Sequence, residues 1–533
     1  MKHKIYTNTS FTAVKSDVLL VGCFEGELAS AAAGTGGDLA VHALSHLTDN
    51  AVVRQAELEK FNGAVGEVLV HFVNAESAVP RVILFGMGAR AKSNLTSFRK
   101  ALTAALKRAK SLQAEHVAFA AVDYLAVTGL PSGGAAQTPT SPYEVGRTIA
   151  CYAGMVDYVI NHQKTEKGGH KPEKRFKKLH LIADLTVVDE LGKGLSDGFK
   201  VAAAVNYARD LANEPAGTLT PAKLVAEAKK AAANKALVKG GGKLSLTVLN
   251  EKALRKLGAN ALLAVSAGSS QPPYLIDLVY TPAGGDADKD PVGLTIVGKS
   301  VTFDSGGLDI KPADGMRHMK RDMSGGAVTL AAIQAIAALG LPIKVRCVMA
   351  ATENMINGKA YKPGDVIHTL NGLTVEVDNT DAEGRLTLAD AIEYAKRQGD
   401  TTILDLATLT GAVKMVTGDV GACLFTNNDD FGNLVVSCGA SQGERLLNVP
   451  MWEEFRDANK SEMADLKNSG GAPGSTTAAF FLRGFAGEEI KWAHLDIAGV
   501  AFRDRELGAD PRGSTGFGVR TVVELADPLA VRK

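Results

Sequence analysis

Through the first ~190 residues, short apolar runs alternate with segments of helical period. Residues 18–21, 68–73, 82–85 and 116–122 are brief and apolar, and read as strands. Residues 97–112 repeat apolar positions at helical spacing, with basic residues on the other face. That alternation predicts an α/β domain with a largely parallel sheet over 1–195. Residues 198–212 read as a helix, which Asn-Glu-Pro at 213–215 ends, so 196–215 is expected to connect two domains. From 216 to 533 the alternation resumes on a larger scale. Helices are expected over 222–233 and 327–339. Strands are expected over 274–280, 293–297, 343–350 and 401–406, with a loop at 239–243 and a turn-rich link, PAGGDADKDP, at 282–291.

Composition narrows the class. Lys plus Arg is 59 and Asp plus Glu 58, a net charge of +1, so no global field draws the chain to nucleic acid, membrane or acidic partners. With 46% hydrophobic and 22% charged residues, disorder is excluded as the main state. The cysteines are Cys23, Cys151, Cys347, Cys423 and Cys438, an odd set without a CxxC pair. They predict free buried thiols in a reducing compartment rather than a disulfide framework or a thiolate zinc site. The opening MKHKIYTNTS lacks the apolar core of a secretory signal, and the apolar stretch at 328–341 is short and Ala-rich for a membrane span. A soluble cytoplasmic protein is expected. The basic stretch 163–178 reads as a solvated loop, with nucleic acid as its alternative partner.

One motif is refused on context. GLTIVGKS at 293–300 satisfies the phosphate-loop pattern. Such a loop needs a strand before the first Gly and a helix opening at Lys-Ser. Here LTIV is itself strand-like and VTFDSGG follows.

The chemistry gathers in residues 297–326 and 376–395, where apolar strands run into dense Asp, Lys and Gly. Sites of open α/β sheets collect at such strand ends. Asp381, Glu383 and Arg385 alternate and would share a face if locally extended. Any single Asp here could be a solvated surface charge or a helix cap. Clustered carboxylates, however, raise one another's pKa unless cations lie between them, and a divalent metal pair with oxygen ligands would relieve that cost. Histidine adds little: His42 and His46 have i,i+4 spacing without the glutamate of a zinc helix, and His318 is a neighbour rather than a ligand.

These segments resemble the leucyl aminopeptidase (cytosol aminopeptidase) family, peptidase family M17. NTDAEGRL at 379–386 matches its signature octapeptide, GKSVTFDSGG at 298–307 resembles its GKGITFDSGG, and MKRDMSGG at 319–326 matches its MKxDMxGG. RDLANEPAGTLTP, LATLTGA at 406–412 and WAHLDIAGVAF at 492–502 extend the likeness over about 200–525. The resemblance implies a smaller N-terminal α/β domain and a larger C-terminal α/β catalytic domain with a mixed sheet flanked by helices. It implies a two-metal site for Mn or Zn held by Lys299, Asp304, Asp322, Asp381 and Glu383. Asp304 and Glu383 would bridge the metals; Lys299 and Asp322 would complete the exchangeable site and Asp381 the tighter one. Lys311 would be the catalytic lysine, and Arg385 would hold a bicarbonate ion as general base. Met319, Thr408 and Gly411 would line the pocket for the first side chain, and the assembly would be a homohexamer acting on peptides with Leu or other apolar first residues. Ser300 stands where the family usually has Gly.

Overall fold

The computed structural model describes the chain except residues 8–13, 29–43, 45–47, 49, 75, 121–139, 161–162, 170–171, 239 and 528–533. His42 and His46 lie outside the described residues. The chain divides into two compact units, Met1–Ala203 with Glu506–Pro511, and Ala204–Arg505 with Arg512–Lys533. The division falls inside one helix, Val188–Asn213, which begins ten residues before the expected 198.

The first unit is built on six strands: β1 (Lys2–Tyr6), β2 (Val18–Phe24), β3 (Val68–Phe72), β4 (Arg81–Gly88), β5 (His116–Ala120) and β6 (Lys178–Ile182). Their order is β1-β6-β5-β2-β4-β3. Every neighbouring pair is parallel except β3 with β4, as the alternation of strands and helices predicts. The helices Leu95–Ser111 and Pro142–Val156 each open on a reciprocal capping box, Asn94 with Ser97 and Ser141 with Glu144. Phe98, Leu102 and Ile149 then pack with Phe85 and Phe119 of the sheet. Within 163–177 the described residues are loop with one 3-10 turn, Glu166–Gly168, and Lys178 opens β6.

The second unit carries eight strands in one mixed sheet: β7 (Lys243–Leu249), β8 (Tyr274–Thr281), β9 (Leu294–Asp304), β10 (Val345–Asn354), β13 (Thr402–Ala407), β14 (Ala422–Thr426), β15 (Leu446–Asn448) and β17 (Lys491–Asp496). The order is β15-β14-β17-β13-β9-β10-β8-β7. Four central strands, β17, β13, β9 and β10, are mutually parallel, while β8 and β14 flank them antiparallel. The strand expected at 293–297 runs on to Asp304, so Lys299 and Ser300 sit inside β9 and Gly293–Ser300 offers no phosphate loop. A small sheet, β11 (Val366–His368), β12 (Thr374–Glu376) and β16 (Leu466–Lys467), lies outside the main one.

The helix Ser324–Leu339 is buried on almost every side, which its run of Gly, Ala, Ile and Val permits. It approaches the sheet closely because glycines meet there. A Cβ on Gly325 would stand 2.0 Å from the Leu406 carbonyl oxygen, and one on Gly298 would stand 2.7 Å from the Gly325 carbonyl oxygen. The same closeness explains Ser300. Its side chain is fully buried on the helix side of β9, where Gly326 leaves room, and its hydroxyl donates to the Gly298 carbonyl at 3.0 Å. Strand alternation turns Lys299 to the opposite face. Across β8 and β10, Arg346 bridges two buried carboxylates, Asp277 at 2.5 Å and Asp400 at 2.8 Å. Tyr394 and Thr295 donate to the same two groups. All five cysteines are buried, and none forms a disulfide among the described residues.

Candidate active site

One cavity of about 530 Å³ opens at the C-terminal ends of β9 and β13. Asp304 ends β9, Asp322 precedes the buried helix, Asp381 lies in the turn before the helix Glu383–Arg397, and Glu383 and Arg385 occupy that helix's first turn. Asp381, Glu383 and Arg385 therefore do not share an extended face. The helix starts at Glu383, and the fold rather than strand alternation brings the three together. Every residue expected to hold metal or to act in catalysis lines this cavity: Lys299, Asp304, Asp322, Asp381 and Glu383, with Lys311 and Arg385. The pocket residues Met319, Thr408 and Gly411 line it too. His318 packs instead against Phe502, with ring centroids 6.0 Å apart.

Two lysines thread the carboxylates. Lys299 Nζ lies 2.7 Å from Asp322 Oδ2 and 2.7 Å from Glu383 Oε1. Lys311 Nζ lies 2.8 Å from Asp304 Oδ2 and also contacts Asp381 Oδ1. Burial works to lower both lysine pKa values, but the surrounding carboxylates outweigh it and hold both ammonium groups above the usual range. Burial raises Asp322, Asp304 and Asp381, whereas Glu383, between both lysines, is held below its usual value despite burial. Burial pushes the Arg385 guanidinium down to about 10, so it stays charged at neutral pH.

The residues fit a divalent-cation centre. Ligand oxygens of Asp304, Asp381 and Glu383 all lie within 4.8 Å of one another. Asp322 Oδ2, Asp381 Oδ1 and Glu383 Oε1 are buried oxygens, and each meets a lysine ammonium in an ion pair. An all-oxygen set with one amine suits hard or borderline divalent cations.

Supporting side chains come from residues for which the motifs implied no role, although Asp496 stands within the WAHLDIAGVAF segment. Asn354, at the end of β10, donates to Asp304 Oδ1 at 2.9 Å and to the Thr380 carbonyl at 3.0 Å. Asn468 accepts from the backbone N–H groups of Asp378 and Asn379 and donates to the carbonyls of Asn379 and Ala382. It thereby shapes the turn that carries Asp381. Asp496 ends β17 fully buried and accepts from Leu409 N, Thr410 N, Ala498 N and, at 2.6 Å, the Thr410 hydroxyl. The loop so held presents Thr408, whose hydroxyl donates to Asp322 Oδ1 at 2.8 Å and whose carbonyl accepts from Lys299 at 3.1 Å. Asn354 lies 26 to 50 residues, and Asn468 and Asp496 86 to 90, from the loops they hold, so only a signal such as polar residues at apolar strand ends could have found them.

Two glycines are demanded by the site. Gly306 has φ +88°, and a Cβ there would stand 2.8 Å from Asp381 Oδ1. A Cβ on Gly384 would stand 2.5 Å from Lys299 Cε and 2.6 Å from its Nζ. Gly384→Ala favours the helix by about 1 kcal/mol but must displace the buried amine. Because Asp322 and Glu383 then lose their cation, we expect a lower melting temperature for the metal-free protein together with a loss of about tenfold or more in divalent-metal affinity, measured by calorimetric titration. Wild-type affinity would show that Lys299 is no ligand.

A parallel-stranded α/β unit with a buried carboxylate–lysine cluster at its strand ends is the framework of a metal-dependent hydrolase. Comparison with known proteins is specific. Residues 206–523 match the family model described as cytosol aminopeptidase family, catalytic domain, and residues 20–167 match that family's N-terminal domain. A probable cytosol aminopeptidase of Chlorobium limicola is 39% identical over 97% of this chain and 98% of its own length. Among solved structures, a leucine aminopeptidase mutant from tomato superposes with a TM-score of 0.84 at 32% identity, over 98% of this chain and 96% of that one. The bottromycin maturation enzyme BotP in complex with Mn superposes with a TM-score of 0.79 at 30% identity, over 96% and 99%. The chain belongs to the cytosol aminopeptidase family, peptidase family M17, whose members are metal-dependent aminopeptidases.

Proposed function

We propose that this protein hydrolyses the N-terminal peptide bond of peptides at a two-metal site and favours Leu and other apolar first residues. The observation that carries this reading is the meeting of three buried carboxylates and one half-buried one, Asp381, with two lysines and one arginine in a single cavity. Asp304 and Glu383 would bridge two ions (Mn or Zn), with Lys299 and Asp322 completing one position and Asp381 the other. When bound, the ions supply an activated water and an anchor for the free amino group of the substrate. Lys311, held by Asp304 and Asp381, keeps its proton and donates to the developing oxyanion. Arg385 has a buried Nε without a hydrogen-bond acceptor, which suits it to hold a bicarbonate ion that takes the proton from water. Met319 and Thr408 provide a wall for the first side chain, and the space where a Gly411 Cβ would point is open.

The relatives' designation as cytosol aminopeptidases supports a cytoplasmic location. A homohexamer is proposed as well, supported by large apolar side chains exposed on the second unit, Met415, Trp452 and Met463 among them. Light scattering would test it; a monomer at micromolar concentration contradicts it.

The deciding assay is leucine p-nitroanilide hydrolysis before and after chelation, with Mn, Zn and Mg restored separately. Activity should vanish with chelator and return with Mn or Zn. A folded, metal-loaded protein that leaves this substrate and Leu-dipeptides intact would overturn the reading.

A further inference from the structure

We propose that Lys414 adapts the cavity to an acidic first side chain, so that peptides beginning with Glu are substrates beside those beginning with Leu. The inference rests on the aminopeptidase reading above and extends it to a second chemical class of substrate.

The cavity's charges do not balance. Five cationic side chains line it (Lys299, Lys311, Arg321, Arg385 and Lys414) against four carboxylates. The four carboxylates are engaged by Lys299 and Lys311. Arg385 lies in the field of Glu383 and Asp496, and Arg321 stacks 4.8 Å from the Phe502 ring centroid in the field of Asp504 and Asp322. Lys414 has no ion-pair partner among the described residues. Divalent ions bound at the carboxylates add to this positive excess.

Its position fits the first side chain. The Lys414 N–H donates to the Gly411 carbonyl at 3.2 Å, which places it directly after the loop that forms one side of the pocket. Its Cγ would lie 3.7 Å from a Cβ on Gly499, so the stem runs along the Ala498–Gly499 turn, and Ala498 is itself part of the lining. The residue is exposed at the rim, with Met319 and Thr408 further along the same lining. A glutamate side chain matches this sequence of surfaces, with two methylenes against the apolar wall and then a carboxylate within reach of an ammonium. When Leu occupies the pocket, an exposed ammonium keeps its water, so accepting Glu does not exclude Leu.

The test compares kcat/KM for Glu- and Gln-p-nitroanilide, which differ chiefly in charge, with Leu-p-nitroanilide as reference. Wild type, Lys414→Met and Lys414→Glu are each assayed in the Mn-loaded full chain. A charge-assisted hydrogen bond at a wet rim should favour Glu over Gln by about tenfold in wild type. Lys414→Met should erase that ratio and Lys414→Glu should invert it. A ratio within one protein is independent of the fraction folded. Leu turnover with the same Glu/Gln ratio in wild type and Lys414→Met overturns the proposal alone. Absence of Leu turnover in every form strikes the aminopeptidase reading itself. A further arm compares Leu-Gly with Leu-Gly amide. If Lys414→Met changes only that ratio, Lys414 reads the peptide's own carboxylate and the acidic-side-chain proposal is overturned.

Discussion

Lys311→Met should lower kcat for leucine p-nitroanilide by about 10²–10³, the usual loss when one preorganised oxyanion donor is removed. KM should move far less, because in the proposed mechanism the amine would meet charge that develops only in the transition state. The geometry supports a fixed role. The backbone N–H of Lys311 donates to the Ser305 carbonyl at 3.0 Å, closing the loop after β9, and the side chain is clamped by Asp304 and Asp381. Lys311→Arg should not restore the rate, since a planar guanidinium cannot occupy the point-like place of an ammonium between two carboxylates. The same variant has a second expected signature. Without metal, Asp304 and Asp381 lose their cation, so metal-free Lys311→Met should melt below metal-free wild type, and bound metal should narrow that gap. A kcat within about tenfold of wild type would remove Lys311 from the mechanism.

Arg346→Met should destabilise the second unit by about 3–5 kcal/mol, the typical cost of stranding buried charge. Asp277 of β8 and Asp400, just before β13, would then both lose the guanidinium that bridges them. In wild type, burial already raises both carboxyls, with Arg346 pulling them back. Removing Arg346 raises them further. An acid whose pKa is higher in the folded than in the unfolded state loses stability as pH climbs from the unfolded pKa, about 4, through the folded one. The deficit of the variant relative to wild type should therefore be largest at pH 7–8 and shrink toward pH 4–5. Urea unfolding at several pH values measures it; a deficit independent of pH would show that lost packing, not stranded charge, is its source. Because this network lies apart from the cavity lining, the folded fraction should keep its catalytic rate.

How much of this was legible in advance differs by element. The strands at 18–21 and 82–85 and the helix at 97–112 are plain in the apolar pattern and sit in the structure with slightly longer bounds. The boundary of β9 was not. Residues 298–304 hold Gly, Lys, Ser, Thr and Asp among their apolar positions, yet pairing with β10 continues to Asp304 and keeps them extended, whereas β13 pairs no further than Gly298. The pairing of Asp381, Glu383 and Arg385 by strand alternation fails for the converse reason. Glu383 opens a helix whose apolar face, with Leu386, Ala389 and Ile392, is buried in the core, and that burial decides the local conformation.

The sequence by itself determined the two α/β halves, the identity of the cavity's charged residues, and the family through its motifs. Such signals survive in one dimension because strand and helix periods are local and because metal-site chemistry restricts residue types at fixed short spacings. Only the tertiary structure decided which groups act on which. It set Lys299 among Asp322 and Glu383 through the missing Cβ of Gly384, turned Ser300 harmlessly into the space left by Gly326, and hung Asp381 and Thr408 from Asn468 and Asp496. It also left Lys414 at the cavity rim. These relations join residues 23 to 90 positions apart. Chain closure over such distances is specified by the packing of the whole sheet and its helices, so no local pattern can carry it.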